Sequence, residues 1–184
     1  MNKSETIQTV ARSAELSRDV VERLIEAFEA CLKMHTDAGA RVVLRGFGSF
    51  SRGLPSPKVG RNPRTGQSMT YLVYHKPKHL PSVSEFTLCR EMAARVSIGE
   101  ATAHRVLDAL QAAIAATLRQ GGVVSLKGFG RFDVGRRAAR SGRNPRTGDV
   151  VLIPAAKVLR FKASKTANAG AKFSAGSALK AALL

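Results

Sequence analysis

An internal repeat with one fixed spacing limits the folds open to this chain. The segment LRGFGSF begins at Leu44, and LKGFGRF begins 82 residues later, at Leu126. A second motif, GRNPRTG, begins at Gly60 and recurs at Gly142, again 82 residues further on. Two different motifs that recur at the same spacing indicate a tandem duplication of one module.

Two apolar-periodic stretches precede the repeated motifs in each copy. The short stretches carry Ile7, Val10, Ala11 and Ala14, or Leu88, Met92, Ala93 and Val96; the long ones carry Val20, Leu24, Phe28 and Leu32, or Val106, Leu110, Ile114 and Leu118. This spacing predicts two amphipathic helices per copy. Ser17 is expected to cap the second helix, and glycines at 39 and 121–122 are expected to end the long helices.

Segments that favour β-strands follow each long helix. Residues 41–44 and 123–126 are rich in valine, and each is followed by a Gly-Phe-Gly turn and a further strand. A third strand is expected after each GRNPRTG, over 69–74 and 150–153. Each copy is therefore predicted to be an α+β module of two helices and a three-stranded sheet.

The repeat spacing also divides the chain into parts. We expect lobe 1 over residues 1–82, lobe 2 over 83–168 and a C-terminal tail over 169–184, with a proline-containing linker over 76–84. Phe173 begins a segment similar to the one that begins at Phe161. We therefore hypothesise that the tail supplies a closing helix to lobe 1, where the linker replaces one.

The positive charge is concentrated in the segments predicted to be strands. The chain has a formal net charge of +17, yet residues 1–37 and 85–120 are nearly neutral. Residues 38–84 hold eight Lys and Arg and no acid, and residues 121–184 hold thirteen against Asp133 and Asp149. A solvent-exposed surface normally mixes both signs, so this distribution predicts a polyanionic partner, with nucleic acid the leading candidate.

The repeated GRNPRTG is predicted to be the tip of a basic β-hairpin arm. Its Asn-Pro pair favours a turn and excludes a helix. A proline at an exposed tip is rigid, apolar and without an N–H donor, so it can insert between base pairs and leave no polar group unsatisfied. The flanking arginines Arg61, Arg64, Arg143 and Arg146 would contact phosphates and the narrow minor groove. A plain β-turn is the alternative, but recurrence within segments poor in carboxylates favours the arm.

These motifs give each lobe a resemblance to subunits of the HU/IHF family of bacterial histone-like DNA-binding proteins. The match rests on the paired helices, the L-[RK]-G-F-G-x-F hairpin and the GRNPRTG tip, over roughly residues 1–168. The resemblance implies an intramolecular pseudo-dimer with a helical body, a saddle of strands and two arms around duplex DNA. It further implies DNA bending and condensation in a bacterial nucleoid, with Pro63 and Pro145 intercalating from the minor groove.

The resemblance and the charge distribution together assign the remaining DNA contacts. These are Arg45, Arg52, Lys58, Arg61, Asn62, Arg64 and Lys76 in lobe 1, and Lys127, Arg131, Arg136, Arg137, Arg140, Arg143, Asn144, Arg146, Lys157 and Arg160 in lobe 2. Lobe 1 departs from the family pattern at Pro55 and Pro57, which cannot donate ladder hydrogen bonds, and at its exit from the arm. The two arms are therefore not expected to bind equally.

Other functions find less support in the sequence. A coating protein that binds DNA or RNA without bending it is the main alternative. A nuclease would need clustered carboxylates or histidines, and none is evident, so no catalytic residue and no cofactor are expected. His75 and His79 are four apart, but Pro77 lies between them and a metal site is not expected.

The remaining expectations concern the core and the cell compartment. Phe47, Phe50, Phe129 and Phe132 are expected in the core rather than stacked on bases. Cys31 and Cys89 are expected to be buried thiols. The absence of an apolar run of roughly 18 residues, and of an apolar segment at the start, predicts an intracellular protein without membrane contact.

Overall fold

The computed structural model describes residues 1–75, 81–164 and 171–183. Its helices are α1 (Lys3–Ala14), α2 (Arg18–Asp37), α3 (Glu85–Val96), α4 (Glu100–Arg119) and α5 (Ser177–Leu183). Its strands are β1 (Arg41–Leu44), β2 (Gly48–Arg52), β3 (Leu54–Arg61), β4 (Ser68–His75), β5 (Ser82–Ser84), β6 (Val124–Leu126), β7 (Gly130–Arg137), β8 (Arg140–Arg143), β9 (Val150–Ile153), β10 (Ala156–Ala163) and β11 (Ala171–Ala175). The α+β prediction is confirmed.

The two long helices, α2 and α4, end where the sequence signals predict. The Ser17 side chain accepts a hydrogen bond from the Val20 amide and caps α2. Gly39 and Gly121 have φ values of 79° and 72°, so each takes the left-handed conformation that follows a helix end. The predicted apolar stripes are buried in one continuous core that contains residues of both lobes.

The two lobes interlock through a pair of contacts repeated at the 82-residue spacing. Helix α1 packs on α4, and α3 packs on α2. The Arg105 guanidinium donates to the Ala14 carbonyl at the end of α1, and Arg23 donates to the Val96 carbonyl at the end of α3. Each lobe thus closes the helix end of the other, so the single chain forms an intramolecular pseudo-dimer.

Chain exchange between the lobes continues at the outer edges of the sheets. The Ser125 amide in β6 donates to the Met1 carbonyl, and the Met1 ammonium donates to the Val123 carbonyl at 2.6 Å. In the other lobe, β5 pairs parallel with β1, with Val83 opposite Val42. Residues 82–84 were predicted to be linker, and that prediction is wrong. They form a short strand because β1 offers them an unpaired edge.

The third strand of each body sheet lies elsewhere than the sequence predicted. Residues 69–74 and 150–153 are indeed extended, but β4 pairs with β3 and β9 pairs with β8, so both belong to the arms. In lobe 2 the third body strand is β10, which pairs with β7. In lobe 1 it is β11, from the C-terminal tail, which pairs with β2. The sheet orders are β10-β7-β6 and β11-β2-β1-β5.

The tail fills the same place in lobe 1 that β10 fills in lobe 2. Phe173 lies opposite Phe50, as Phe161 lies opposite Phe132. The centroids of the two ring pairs are 4.7 and 4.8 Å apart. Helix α5 follows β11 and buries Leu179 against the body.

Phenylalanines fill the space between the helices and the two sheets. Phe47, Phe50, Phe129 and Phe132 are all at most 5% exposed, so the prediction that they belong to the core is confirmed. Both cysteines are free and buried, as expected. Among the described residues, no helix is long and apolar enough to cross a bilayer.

Candidate nucleic-acid interface

Two arms project from the sheets and end in turns with the same hydrogen bonds. We call residues 53–75 arm 1 and residues 135–157 arm 2. The Asn62 side-chain oxygen accepts from the Arg64 amide at 2.9 Å, and the Gly66 amide donates to the Asn62 carbonyl at 2.8 Å. In arm 2, Asn144, Arg146 and Gly148 repeat these bonds at the same distances. Each asparagine therefore fixes its turn by a bond from its side chain to the backbone amide two residues on.

The turn leaves the two prolines at the outer end of each arm. Pro63 and Pro145 are exposed, and so are the arginines that follow them, Arg64 and Arg146. Gly66 and Gly148 take φ values of 70° and 78°, which a glycine adopts without strain. Apart from the chain neighbours, no atom lies within 4 Å of where a Cβ would stand at either glycine, so the space beside each is open.

The asparagines have a structural role that the sequence prediction did not include. Asn62 and Asn144 were assigned to DNA contact, yet the side-chain oxygen of each is bonded within the turn. The side-chain amide nitrogen of each asparagine is a hydrogen-bond donor. Each asparagine is half-buried, so it positions the neighbouring proline and arginine in addition to any contact of its own.

The predicted cations of the arms lie along exposed strands. In arm 1 they are Lys58, Arg61 and Arg64; in arm 2 they are Arg136, Arg137, Arg140, Arg143, Arg146 and Lys157. All nine side chains are exposed. Asp149 is the single carboxylate in either arm. The arms are therefore cationic ribbons with an exposed proline at each tip.

The outer face of the lobe 2 sheet continues the basic surface of arm 2. Strand alternation places Phe132 and Phe161 toward the helices, and it places Arg131, Arg160 and Lys162 on the opposite face. Arg131 lies directly opposite Lys162, and Asp133 lies opposite Arg160. Asp133 also forms an ion pair with Arg131 at 3.6 Å, which partly offsets the positive charge of this face.

The equivalent face of lobe 1 draws its positive charge from Arg41 and Lys172. Positions 49 and 51 are serines where lobe 2 has Arg131 and Asp133. Ser49 accepts a hydrogen bond from Arg41 at 2.9 Å, and Lys172 lies opposite Ser51. Lys172 therefore supplies the positive charge on the third strand of this face.

Three of the predicted contact residues lie away from the arm strands. Arg45 and Lys127 occupy the β1–β2 and β6–β7 turns and are exposed. Arg52 is half-buried, and its guanidinium forms an ion pair with Asp37 at the end of α2. That ion pair reduces the charge that Arg52 offers to an external anion. Lys76 lies outside the described residues.

Two lysines on the outer sheet face were missed by the sequence prediction. Lys162 is exposed and lies opposite the predicted cation Arg131, and Lys172 is exposed at the position in β11 that Arg160 has in β10. The signal for them was present, because Phe161 and Phe173 begin similar segments and alternation then places the adjacent lysines outward. Aligning the tail with β10 would have matched Lys172 with the predicted cation Arg160.

Within the described parts of the chain, no group of three or more His, Cys, Asp or Glu side chains is placed to hold a metal ion. His79, one of the two histidines considered for such a site, lies outside those parts. The described acids closest to the arms, Asp133 and Asp149, belong to different elements: Asp133 to a body strand and Asp149 to a tip.

Comparison with known proteins gives two matches along the chain. A family model described as "Bacterial DNA-binding protein" matches residues 1–84 and again residues 83–172. DNA-binding protein HU-beta of Escherichia coli strain K12 is 49% identical over 78 residues, which are 42% of this chain and 87% of that protein. HU-beta of Salmonella typhimurium has the same identity and coverage.

Two further matches are to an HU protein and to a chain of a solved structure. DNA-binding protein HU of Neisseria meningitidis serogroup B is 46% identical over 78 residues, which are 42% of this chain and 88% of that protein. Among solved structures, a chain of the Anabaena HU–DNA cocrystal structure matches with 36% identity and a TM-score of 0.42, over 45% of this chain and 90% of that one.

Proposed function

The chain belongs to the family of bacterial DNA-binding proteins, as a tandem fusion of two HU-like lobes, and from this premise we propose that it bends and compacts duplex DNA through its two arms. The relatives named above are DNA-binding proteins by name, and the two family matches give the chain the DNA-binding architecture of that family. The proposal concerns the finer mechanism: minor-groove contact, proline intercalation and weak sequence preference.

The arm tips carry this proposal. Both prolines are exposed at the ends of ribbons poor in carboxylates, and both are held by the same asparagine turn. A rigid apolar ring without an N–H donor can separate stacked base pairs and leave no polar group unsatisfied. The arginines next to each ring are placed to contact phosphates once the ring is inserted.

Phosphate contacts would supply the binding free energy. The exposed Lys and Arg of the arms and of the lobe 2 sheet face would displace counterions from DNA, which makes the affinity strongly salt-dependent. Part of that free energy would be used to unstack and bend the duplex, at roughly a few kcal/mol per unstacked step. Contacts in the minor groove distinguish little beyond A·T from G·C, so deformable DNA should be preferred to a particular sequence.

The fusion of two lobes has a consequence for binding at low protein concentration. The two arms are held on one chain by an interlocked helical core, so dilution cannot separate them. We further propose that the protein works as this monomeric pseudo-dimer in the bacterial nucleoid and that its tail, residues 169–184, belongs functionally to lobe 1.

The double substitution Pro63→Ala plus Pro145→Ala tests the mechanism. The bend angle would be measured by energy transfer between dyes at the two ends of a short duplex, and the affinity by titration at a fixed salt concentration. We expect a smaller bend with a modest loss of affinity, because the phosphate contacts remain. The control is Thr65→Ala plus Thr147→Ala, which changes the same tips but keeps the prolines.

An unchanged bend angle in the proline variant would overturn the intercalation mechanism. If the unaltered protein binds duplex DNA or RNA without bending it, the coating function is correct instead. A nuclease is tested separately: plasmid incubated with the protein and Mg²⁺ should remain intact, and cleavage that depends on the metal would contradict a purely architectural role.

A further inference from the structure

We infer that the body of the protein carries, at one edge of the lobe 1 sheet, a docking groove for an extended, acidic peptide segment of another protein. The docking groove lies between β5 and the beginnings of α3 and α4. It has a volume of about 680 Å³ and is lined by Val43, Arg45, residues 82–86 and His104. It is separate from the arms, so this inference does not depend on the proposed bending of DNA.

The docking groove exposes apolar side chains that the fold leaves uncovered. Phe86 is 59% exposed and Val43 is 37% exposed. The Phe86 ring lies beside the His104 ring, with centroids 6.1 Å apart and planes tilted by 33°. Neither Phe86 nor Val43 carries a hydrogen-bond donor for a phosphate, so DNA binding does not explain their exposure. Apolar side chains gathered around a concave surface are typical of a protein-binding site.

The opposite end of the body shows that packing does not require these side chains. At the 82-residue spacing, Ser4, Glu22 and Ser125 stand where the docking groove has Phe86, His104 and Val43. The helices that begin there, α1 and α2, have the same lengths as α3 and α4, 12 and 20 residues. Both ends therefore fold alike, and the apolar set at one end serves something other than the fold.

Strand β5 gives the docking groove a free backbone edge. Among the described residues, β5 is the outermost strand of the sheet β11-β2-β1-β5. The Arg41 amide donates to the Pro81 carbonyl at 2.8 Å, so the backbone groups of Pro81 and Val83 face β1. Those of Ser82, which lies between them, face away from β1. An extended peptide can add to such an edge and place alternate side chains in the adjoining groove.

Hydrogen bonds hold the walls of the docking groove in place. The Ser84 hydroxyl accepts from the Thr87 amide at 3.2 Å and caps α3. The Glu85 carboxylate accepts from the backbone amide of Arg45 at 2.7 Å and joins α3 to the turn between β1 and β2. Because the walls are already ordered, less conformational entropy is lost when a peptide binds.

The charge of the molecule favours an acidic partner over a second copy. The chain carries a formal net charge of +17, so two copies repel each other. Glu85 is the single carboxylate that lines the docking groove, and it is bonded to the Arg45 amide. Within the described parts of the chain, the Arg45 guanidinium forms no ion pair. An acidic segment is attracted by the whole molecule and can pair with Arg45, while one large apolar side chain packs on Phe86.

A labelled peptide tests the docking groove in the full chain without DNA. The probe is fluorescein-labelled Asp-Glu-Val-Trp-Val-Glu-Asp, and binding is followed by fluorescence anisotropy at about 0.3 M salt, which screens attraction to the exposed cations of the arms. We expect saturable binding that Phe86→Ser weakens by roughly tenfold or more, because the apolar anchor contact is lost. That variant has the residue found at the opposite end of the body.

Met34→Ser is the matched control variant. Met34 is also an exposed apolar residue of the helical body, at 44%, but it lies on α2 outside the docking groove. This change should leave the peptide affinity unaltered. Circular dichroism of both variants would establish that each remains folded.

Three altered peptides separate the contributions to binding. Replacing Trp by Ser removes the apolar anchor, replacing the acids by Lys removes the charge attraction, and N-methylation of both valines removes ladder hydrogen bonds while it keeps the side chains. Each should weaken binding by several-fold. Undiminished binding of the N-methylated peptide would show that the peptide does not add to β5 and would overturn that part of the inference.

Other outcomes would overturn the inference as a whole. These are an absence of saturable binding, or equal affinity of the unaltered chain and Phe86→Ser. If sedimentation shows self-association that Phe86→Ser abolishes, the occupant is a second copy instead. If Phe86→Ser weakens DNA binding, the groove is part of the DNA interface. None of these results alters the bend-angle test of the proline variants, so a failure here is distinct from a failure of the proposed function.

Discussion

The two body sheets have equivalent packing but are assembled in different ways. In lobe 2 the strands of the sheet β10-β7-β6 come from one stretch of chain, which arm 2 interrupts between β7 and β10. In lobe 1 the sheet β11-β2-β1-β5 combines three separate stretches, including the C-terminal tail. Yet Phe173 meets Phe50 as closely as Phe161 meets Phe132. The core requires a phenylalanine-bearing strand at this place and does not require that it follow the arm.

This comparison teaches that connectivity can change while the packing is kept. The Gly176 amide donates to the Phe47 carbonyl at 2.8 Å, and the Ser164 amide donates to the Phe129 carbonyl at 3.1 Å. These are the same bond, since positions 164 and 176 follow Phe161 and Phe173 by three residues. The consequence is that lobe 1 depends on a chain terminus, and such segments open with the lowest free energy in a fold.

Deletion of residues 171–184 should give the largest effect. It removes the Phe173 contacts, the buried Leu179 side chain and the β11–β2 ladder. We expect a loss of about 3–5 kcal/mol in the free energy of unfolding, the range for removing a large apolar group from a core. Urea unfolding followed by circular dichroism would measure it.

The matched control for the deletion is Lys172→Ala plus Lys180→Ala. Both side chains are exposed, so the free energy of unfolding should change by no more than about 0.5 kcal/mol. A deletion variant as stable as the full chain would mean that the tail is not part of the lobe 1 fold.

Gly48→Ala and Gly130→Ala form a matched pair with a smaller expected effect. The φ values are 155° and 159°, and a Cβ would stand 2.5 Å from the Ser174 carbonyl oxygen or 2.8 Å from that of Lys162. Each change should cost about 1–3 kcal/mol, through backbone strain and overpacking.

The two glycine variants should differ in where the strain is relieved. At Gly48 the tail can separate from β2, so hydrogen exchange should accelerate over residues 171–175 ahead of the rest. At Gly130 the opposing strand is held by chain on both sides, so protection should fall across the lobe 2 sheet. Equal, uniform loss of protection in both variants would contradict the idea that the tail opens independently.

The cysteines should give the smallest difference between the lobes. Burial raises the pKa of the Cys89 thiol to about 12, and burial also raises the pKa of Cys31, with Arg95 opposing it. Both thiols lie in the shared helical core, so single-cysteine variants should be alkylated slowly and at equal rates at pH 8. Faster alkylation of Cys31 alone would mean that the helices of lobe 1 open separately.

The raised pKa of Cys89 also has a pH dependence with a definite sign. Because the folded pKa lies above the ordinary value of 9.0, the folded state holds the thiol proton more tightly. Its contribution to stability is complete below pH 9 and is lost as the pH rises from 9 toward 12. Urea midpoints of Cys89→Ala and the unaltered chain, compared across this range, would check the sign.

Much of the site was predictable because its signals are local. The Asn-Pro and Gly residues of the tips specify their turn within six positions, and both tips fold as the repeat predicts. The periodic apolar residues specified the helices and the buried phenylalanines. The DNA-contact roles assigned to the individual Lys and Arg remain predictions.

The errors in the sequence prediction all concern long-range pairing. Residues 82–84 were assigned to a linker because Ser-Val-Ser carries too weak an alternation to indicate a strand. The ion pair between Arg52 and Asp37 was not foreseen, because nothing near Arg52 in the sequence indicates a partner fifteen residues earlier. The third body strands were placed in the arms because residues directly after the tips favour β-structure equally well.

By itself, the sequence determined the duplication, the helices, the cationic arms and their proline tips, because each follows from the spacing and chemistry of residues close together in the chain. Only the tertiary structure decided which strand completes each sheet and how the lobes exchange their first residues. Those outcomes depend on strand edges and apolar surfaces that pair although their residues lie far apart in the sequence. Such long-range pairing has no signature in any short segment of the chain.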